Sequence, residues 1–166
     1  MTDHQDAHGA FIRALSAATT ETQVFDALCA LARARVGAKL FTIMTVDMQA
    51  MLARRAYSDD PVNYPASGTK PITIDRWFEQ VHGRHECFIA NTLAEIATVF
   101  PDADLIGRLG CASVVNLPVI RAGELVATIN MLHEEGYYTP ARVETIREEL
   151  TLPSMAAMAL ADGFEG

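Results

Sequence analysis

The stretch from Ser113 to Leu132 constrains the fold more than any other part of this chain. Ser113 to Ile120 and Glu124 to Leu132 are two runs dominated by Val, Leu, Ile and Thr, parted only by Arg121, Ala122 and Gly123. So short a gap forces an antiparallel hairpin, because parallel neighbours need a crossover of a dozen or more residues. A three-residue loop with glycine left-handed at its end pairs Ile120 with Glu124, sets Asn116 opposite Thr128 and Val114 opposite Asn130. Side chains alternate along a strand, so Val115, Leu117 and Val119 share one face with Leu125, Ala127, Ile129 and Met131. That face is wholly apolar and is expected beneath helices. The other carries Val114, Asn116, Pro118, Thr128, Asn130 and Leu132, a mixture that suits a pocket better than a core. A plain hydrogen bond between Asn116 and Thr128 under covering loops would also satisfy both groups.

The remaining periodicities supply the other elements. Phe11, Ile12 and Leu15 suggest a short first helix over residues 8–18. Thr20 and Gln23 have capping-box spacing ahead of Val24, Phe25, Leu28, Leu31 and Ala32, and Gly37 stops that helix. Leu40 to Asp47 and Met51 to Tyr57 read as a second hairpin. Residues 58 to 72, with Pro61, Pro65, Gly68 and Pro71, form the longest irregular segment, a candidate lid. Thr73 is placed to cap a helix bearing Ile74, Trp77, Phe78 and Val81, and Cys87 to Ala90 is a short strand. Thr92 with Glu95, and then Asp102, open two short helices, one carrying Phe100 at its end and the other Leu105, Ile106 and Leu109. Thr139 and Pro140 open a last helix that Pro153 should kink or split. Strands and helices come in groups, which predicts an α+β fold, a central antiparallel sheet layered with helices. The chain reads as one domain over residues 1–166, with its core at 20–160 and an N-terminal tail and helix at 1–18.

Composition narrows the partners. A formal net charge of −8 disfavours nucleic acid and anionic membrane surfaces. The start lacks the basic and apolar regions of a secretory signal, and no run approaches the roughly 20 apolar residues of a membrane span. Three scattered cysteines, Cys29, Cys87 and Cys111, fit a reducing compartment, so a cytoplasmic location is expected.

The ordered set Gly110-Cys111-Ala112-Ser113-Val114-Val115-Asn116-Leu117-Pro118-Val119, Gly123 to Asn130, and Tyr138-Thr139-Pro140 resembles the C-terminal signature of GAF domains. The resemblance spans about Thr20 to Leu160. It implies terminal helices on one sheet face, a ligand pocket on the other, and a homodimer built through those helices. Met155, Met158, Ala159 and Leu160, with Phe11 and Leu15, extend the apolar surface such a dimer would bury. The residues expected around a small-molecule ligand are Trp77, Phe100, Val114, Asn116, Thr128 and Asn130. For Trp77 and Phe100, ordinary core packing is the competing reading.

Chemistry-bearing clusters are sparse, and no cofactor is expected. His82, His85 and Cys87 are zinc-compatible types, but no fourth ligand follows at matching spacing. Cyclic-nucleotide-binding relatives carry an Asn-Lys pair after the final strand, whereas Met131 and Leu132 follow Asn130 here. Bilin-binding relatives attach pigment through a cysteine commonly followed by histidine, whereas Cys87 precedes Phe88 and Cys111 precedes Ala112. Free methionine-(R)-sulfoxide reductase is the enzymatic alternative, but its acidic substrate-binding positions fall on Val114 and Asn130, and its catalytic cysteine falls near Gly107. The sequence thus favours a ligand-binding sensory module acting through a partner protein, with the reductase, or a dimerisation scaffold with a collapsed pocket, as alternatives.

Overall fold

The computed structural model describes residues 2–66 and 68–164, with side chains from residue 6 onward. Two helices lead the chain, α1 (Thr2–Ala17) and α2 (Glu21–Arg35). The first begins well ahead of the expected residue 8. Thr20 caps α2 by accepting from the Gln23 amide at 3.2 Å, while the Gln23 side chain reaches back to the amide of Thr19 at 2.7 Å. Strands β1 (Leu40–Asp47) and β2 (Leu52–Ser58) follow, and the expected irregular segment contains a short edge strand, β3 (Thr69–Pro71). Asp75, not Thr73, caps α3 (Arg76–Phe78), accepting from the Phe78 amide at 2.9 Å. Ile74 is accordingly exposed rather than part of that helix. From Glu79 to Gly83 the turn widens to the i→i+5 pattern, a local feature often found where a helix is bent toward a site.

Strand β4 (Phe88–Ala90), helices α4 (Leu93–Ala97) and α5 (Ala103–Arg108), strands β5 (Ser113–Arg121) and β6 (Glu124–His133), and helix α6 (Pro140–Asp162) complete the chain. All six strands form one sheet in the order β3-β2-β1-β6-β5-β4, with every neighbouring pair antiparallel. Helix α6 runs unbroken through Pro153, contrary to the expected split. Proline removes one helical hydrogen bond, but Leu150, Ser154, Ala157, Met158 and Ala161 are buried on both sides of it, and that packing holds the helix together.

Each sheet face carries its own apolar cluster. On one, Val115, Leu117, Val119, Ala127, Ile129 and Met131 lie against Phe25, Leu28, Ile146 and Leu150 of α2 and α6. On the other, Val114, Leu125 and Leu132 meet Val81, Ile96 and Ile106 beneath the middle helices. Phe11 and Met158 are buried within the first cluster, so the chain itself covers two side chains expected to await a second copy. No described helix is long and apolar enough to cross a membrane.

The β5–β6 hairpin differs from the expected register, and the difference positions the site. Its loop has two residues, Ala122 and Gly123, with φ of 53° and 81°, so Arg121 pairs with Glu124. Two left-handed residues are the loop geometry that matches strand twist, and Ala122 accepts a conformation usually left to Gly or Asn. A regular ladder from that loop would set Asn116 opposite Ile129 and put the two asparagines on opposite faces. A bulge between Val119 and Ile120 prevents this: Ile120 pairs with Leu125, but Val119 pairs with Ala127, leaving Val126 as the extra residue. Beyond the bulge Asn116 faces Asn130, Pro118 faces Thr128, and Val114 faces Leu132. The expected Asn116–Thr128 and Val114–Asn130 pairs are therefore corrected by two residues, while their face is retained. Leu125, expected on the helix-packed face, lies instead in the opposite cluster, because the bulge reverses parity between it and Ala127.

Candidate functional site

Two rows of side chains cross the sheet on the face away from α2 and α6. In one, Thr42, Asn130, Asn116 and Phe88 stand opposite one another from β1 to β4; in the other, Arg55, Met44, Thr128 and Pro118 do so from β2 to β5. Above them lies a cavity of about 290 Å³, walled by Trp77, Phe100, Pro101 and Ile106 from the middle helices and by Tyr64 and Lys70 from the segment between β2 and α3. All six expected site residues, Trp77, Phe100, Val114, Asn116, Thr128 and Asn130, line this one cavity. Phe100 also packs edge-on to Phe88 with ring centroids 6.0 Å apart, so part of its surface does serve the core.

The floor is a directed hydrogen-bond chain. Trp77 Nε1 donates to Asn116 Oδ1 at 2.9 Å, Asn116 Nδ2 donates to Asn130 Oδ1 at 2.7 Å, and Asn130 Nδ2 donates to Thr42 Oγ1 at 3.2 Å. An indole nitrogen can only donate, so it fixes the orientation of the first amide and, through it, of the second. Asn116 and Thr42 are each 3% exposed and Thr128 is fully buried. Thr128 Oγ1 makes no hydrogen bond with any described residue. The expected partnership between Asn116 and Thr128 is absent, because the register sets Pro118 opposite the threonine.

Charge enters at the rim, through residues that sequence reasoning missed. The Arg55 guanidinium lies 3.8 Å from the centre of the Tyr64 ring, donates to Pro65 O at 2.9 Å and stands 3.6 Å from Asp102 Oδ2. The Tyr64 hydroxyl donates to the same carboxylate oxygen. Burial first, and then that hydrogen bond, push the Tyr64 hydroxyl well above the ordinary phenol range, so it stays protonated and donating. Asp102 opens α5 but makes no side-chain capping bond, its carboxylate facing Tyr64 and Arg55 instead. Extending strand parity from Asn130 to Thr42 and Met44, and from Met44 to Arg55, would have located the arginine. Tyr64 and Lys70 fall in the candidate lid and Asp102 at the expected helix cap, but no local pattern marks any of the three as a site residue.

The cysteines lie elsewhere. Cys29, Cys87 and Cys111 are free and buried, and burial pushes all three thiols up. No cysteine is among the described residues lining the cavity. Among the described residues no three His, Cys, Asp or Glu side chains converge as metal ligands.

A single antiparallel sheet with long helices on one face and a cavity under short helices and a loop on the other defines an α+β domain with a one-sided cavity. The chain belongs to the GAF domain family, whose sequence profile matches residues 18–151. Solved structures agree on the fold. The GAF domain of a two-component sensor histidine kinase from Bacillus halodurans superposes with a TM-score of 0.69 at 9% identity, over 90% of this chain and 100% of that one. A GAF domain/HD domain protein from Geobacter sulfurreducens gives 0.67 at 13% identity, over 91% and 97%. Free methionine-R-sulfoxide reductase from Neisseria meningitidis, solved with its substrate, gives 0.60 at 15% identity, over 98% and 88%. No curated protein matches the chain in sequence. A methyl-accepting chemotaxis protein, residues 122 to 287, shares the fold at a TM-score of 0.65 and 13% identity, over 95% of this chain and 98% of that one.

Proposed function

We propose that this chain is a small-molecule-binding GAF module whose occupied cavity is read out by a partner protein. The observation that carries the reading is the hydrogen-bonded chain from half-buried Trp77 through Asn116 and half-buried Asn130 to Thr42, in a cavity of about 290 Å³ that the unpartnered hydroxyl of Thr128 also lines. Pockets are mostly apolar with a few placed polar groups, and a buried hydroxyl without a partner is uncommon unless something else completes it. The same cavity argues against a scaffold whose pocket has collapsed. Mass spectrometry of small molecules carried through native purification tests the reading. A compound that co-purifies with the parent and is lost from Asn116→Leu or Asn130→Leu supports it, with binding weakened by about 1–3 kcal/mol through an unsatisfied buried partner. No ligand from extract and no saturable binding by either protein overturns it.

A reductase reading meets a specific obstacle. That chemistry needs a thiolate at the substrate, and the cavity lining contains no cysteine among the described residues, while burial disfavours the thiolate at all three sites. Cysteine-dependent reduction of free methionine sulfoxide, lost in Cys87→Ser or Cys111→Ser, would reverse this.

Homodimerisation is part of the proposal. Leu152 and Met155 on α6 and Ile12 on α1 are exposed, at 73%, 43% and 63%. Leu152 and Met155 fall on one side of the helix, where a second copy would cover them. Light scattering should give twice the mass of the chain, and half of that in Leu152→Glu. A parent that is monomeric at micromolar concentration refutes the dimer.

A further inference from the structure

Among the described residues the cavity floor leaves four donor hydrogens free, alongside lone pairs on the same amide and hydroxyl oxygens. Each amide nitrogen in the chain, Asn116 Nδ2 and Asn130 Nδ2, uses one hydrogen and has a second that meets no acceptor among the described residues. Thr42 Oγ1 accepts from Asn130, and its own hydrogen has no described acceptor; Thr128 Oγ1 is wholly unpaired. Because Trp77 Nε1 can only donate, the amides cannot be turned over to present carbonyls in place of these N–H groups. The bias toward an anion comes from the charged rim. Arg55 and Lys70 supply two cations to the lining and Asp102 one anion, and that carboxylate already accepts from Tyr64 and faces Arg55. Lys70 has no ion pair with any described residue.

A ligand that answers the cationic rim is negatively charged, and its acceptors can take the free hydrogens of the floor. The walls limit the rest of it, since Met44, Trp77, Phe100, Ile106, Val114 and Leu132 ask for an apolar body. Resting on the reading of the cavity as a binding site, we infer that its ligand is a small organic carboxylate. Its carboxylate accepts from the threonine and asparagine floor or from Lys70 and Arg55, and its hydrocarbon or aromatic part lies between Trp77 and Phe100. Both oxygens of a carboxylate accept, and with charge assistance, whereas the primary amide offers one accepting oxygen and the protonated amine none. The chain's charge of −8 makes a cationic lining at this one place more telling, since the long-range field repels the ligand that the cavity attracts.

The test uses matched compounds. Benzoate, phenylacetate, hexanoate and 4-methylpentanoate are each titrated beside the primary amide and the amine of the same carbon skeleton. Trp77 is the chain's single tryptophan and lines the cavity, so its fluorescence reports occupancy directly, with thermal unfolding as a second readout. The expected result is that at least one acid binds about tenfold tighter than its amide, or roughly 1.4 kcal/mol. That preference shrinks in Lys70→Gln and in Thr128→Val, which remove a cation and a hydroxyl while keeping shape, and added salt weakens it. Amides or amines that bind as tightly as their acids in every set that binds overturn the carboxylate inference but leave the binding site standing. No response from any acid, amide or amine overturns the inference and the binding reading together.

Discussion

The bond between buried Asn116 and half-buried Asn130 can be weighed by a double-mutant cycle. Asn116→Ala removes two links of the chain, to Trp77 and to Asn130, and Asn130→Ala removes two, to Asn116 and to Thr42. At about 1 kcal/mol net per hydrogen bond, each single variant should lose about 2 kcal/mol. Trp77 is half-buried at an open cavity, so water can take over its N–H and bring the Asn116 figure to the lower side. For a domain of this size, about 2 kcal/mol corresponds to a fall in Tm of roughly 4–8 °C. The double variant removes three bonds, not four, because the central 2.7 Å bond belongs to both residues. It should therefore cost about 1 kcal/mol less than the two single losses combined, a coupling typical of directly bonded neighbours. Urea denaturation of the four proteins, with the slope unchanged, measures each term. Additivity to within about 0.3 kcal/mol would mean that the amides do not hold each other, and would refute the directed chain on which the ligand argument stands.

Gly37→Ala should destabilise by more than about 2 kcal/mol, since Gly37 has φ of 110° and a Cβ there would overlap the Tyr137 hydroxyl; retained Tm would contradict this. Burial pushes the Glu149 carboxyl up, but hydrogen bonds from Arg35 at 2.9 Å and from His8, with their charges, outweigh it and hold it below the ordinary value of 4.5. A depressed carboxylate stabilises above its unfolded value and loses that contribution as pH falls through the folded one. Glu149→Gln should thus cost about 0.5–1 kcal/mol at pH 7, and the gap to the parent should close as pH drops below 4.5. With all three thiols buried and pushed up, the native protein should react slowly with a thiol reagent at pH 8, while the urea-unfolded chain titrates three cysteines; a fast native thiol would point to an accessible thiolate.

The sequence by itself determined most of the elements, though not β3 or the widened turn at Glu79–Gly83, and the division of β5 and β6 into an apolar face and a mixed one. Those features depend on residues a few positions apart, such as Thr92 capping at Glu95 or the alternation from Val114 to Leu117. The shared face of Asn116 and Asn130 was also legible, though through two compensating errors: a loop one residue shorter than expected, and a bulge at Val126 that restored parity. No local pattern announces that bulge. Tertiary structure alone decided the rest of the cavity. Arg55, the pair Tyr64 and Lys70, and Asp102 come from three separate segments, and none carries a local pattern that marks it as a site residue. Only the sheet order that sets β2 and β3 beside β1, and α5 over its face, turns them into one charged rim. Periodicity records what each segment buries, whereas the meeting of distant segments depends on packing that no single segment encodes.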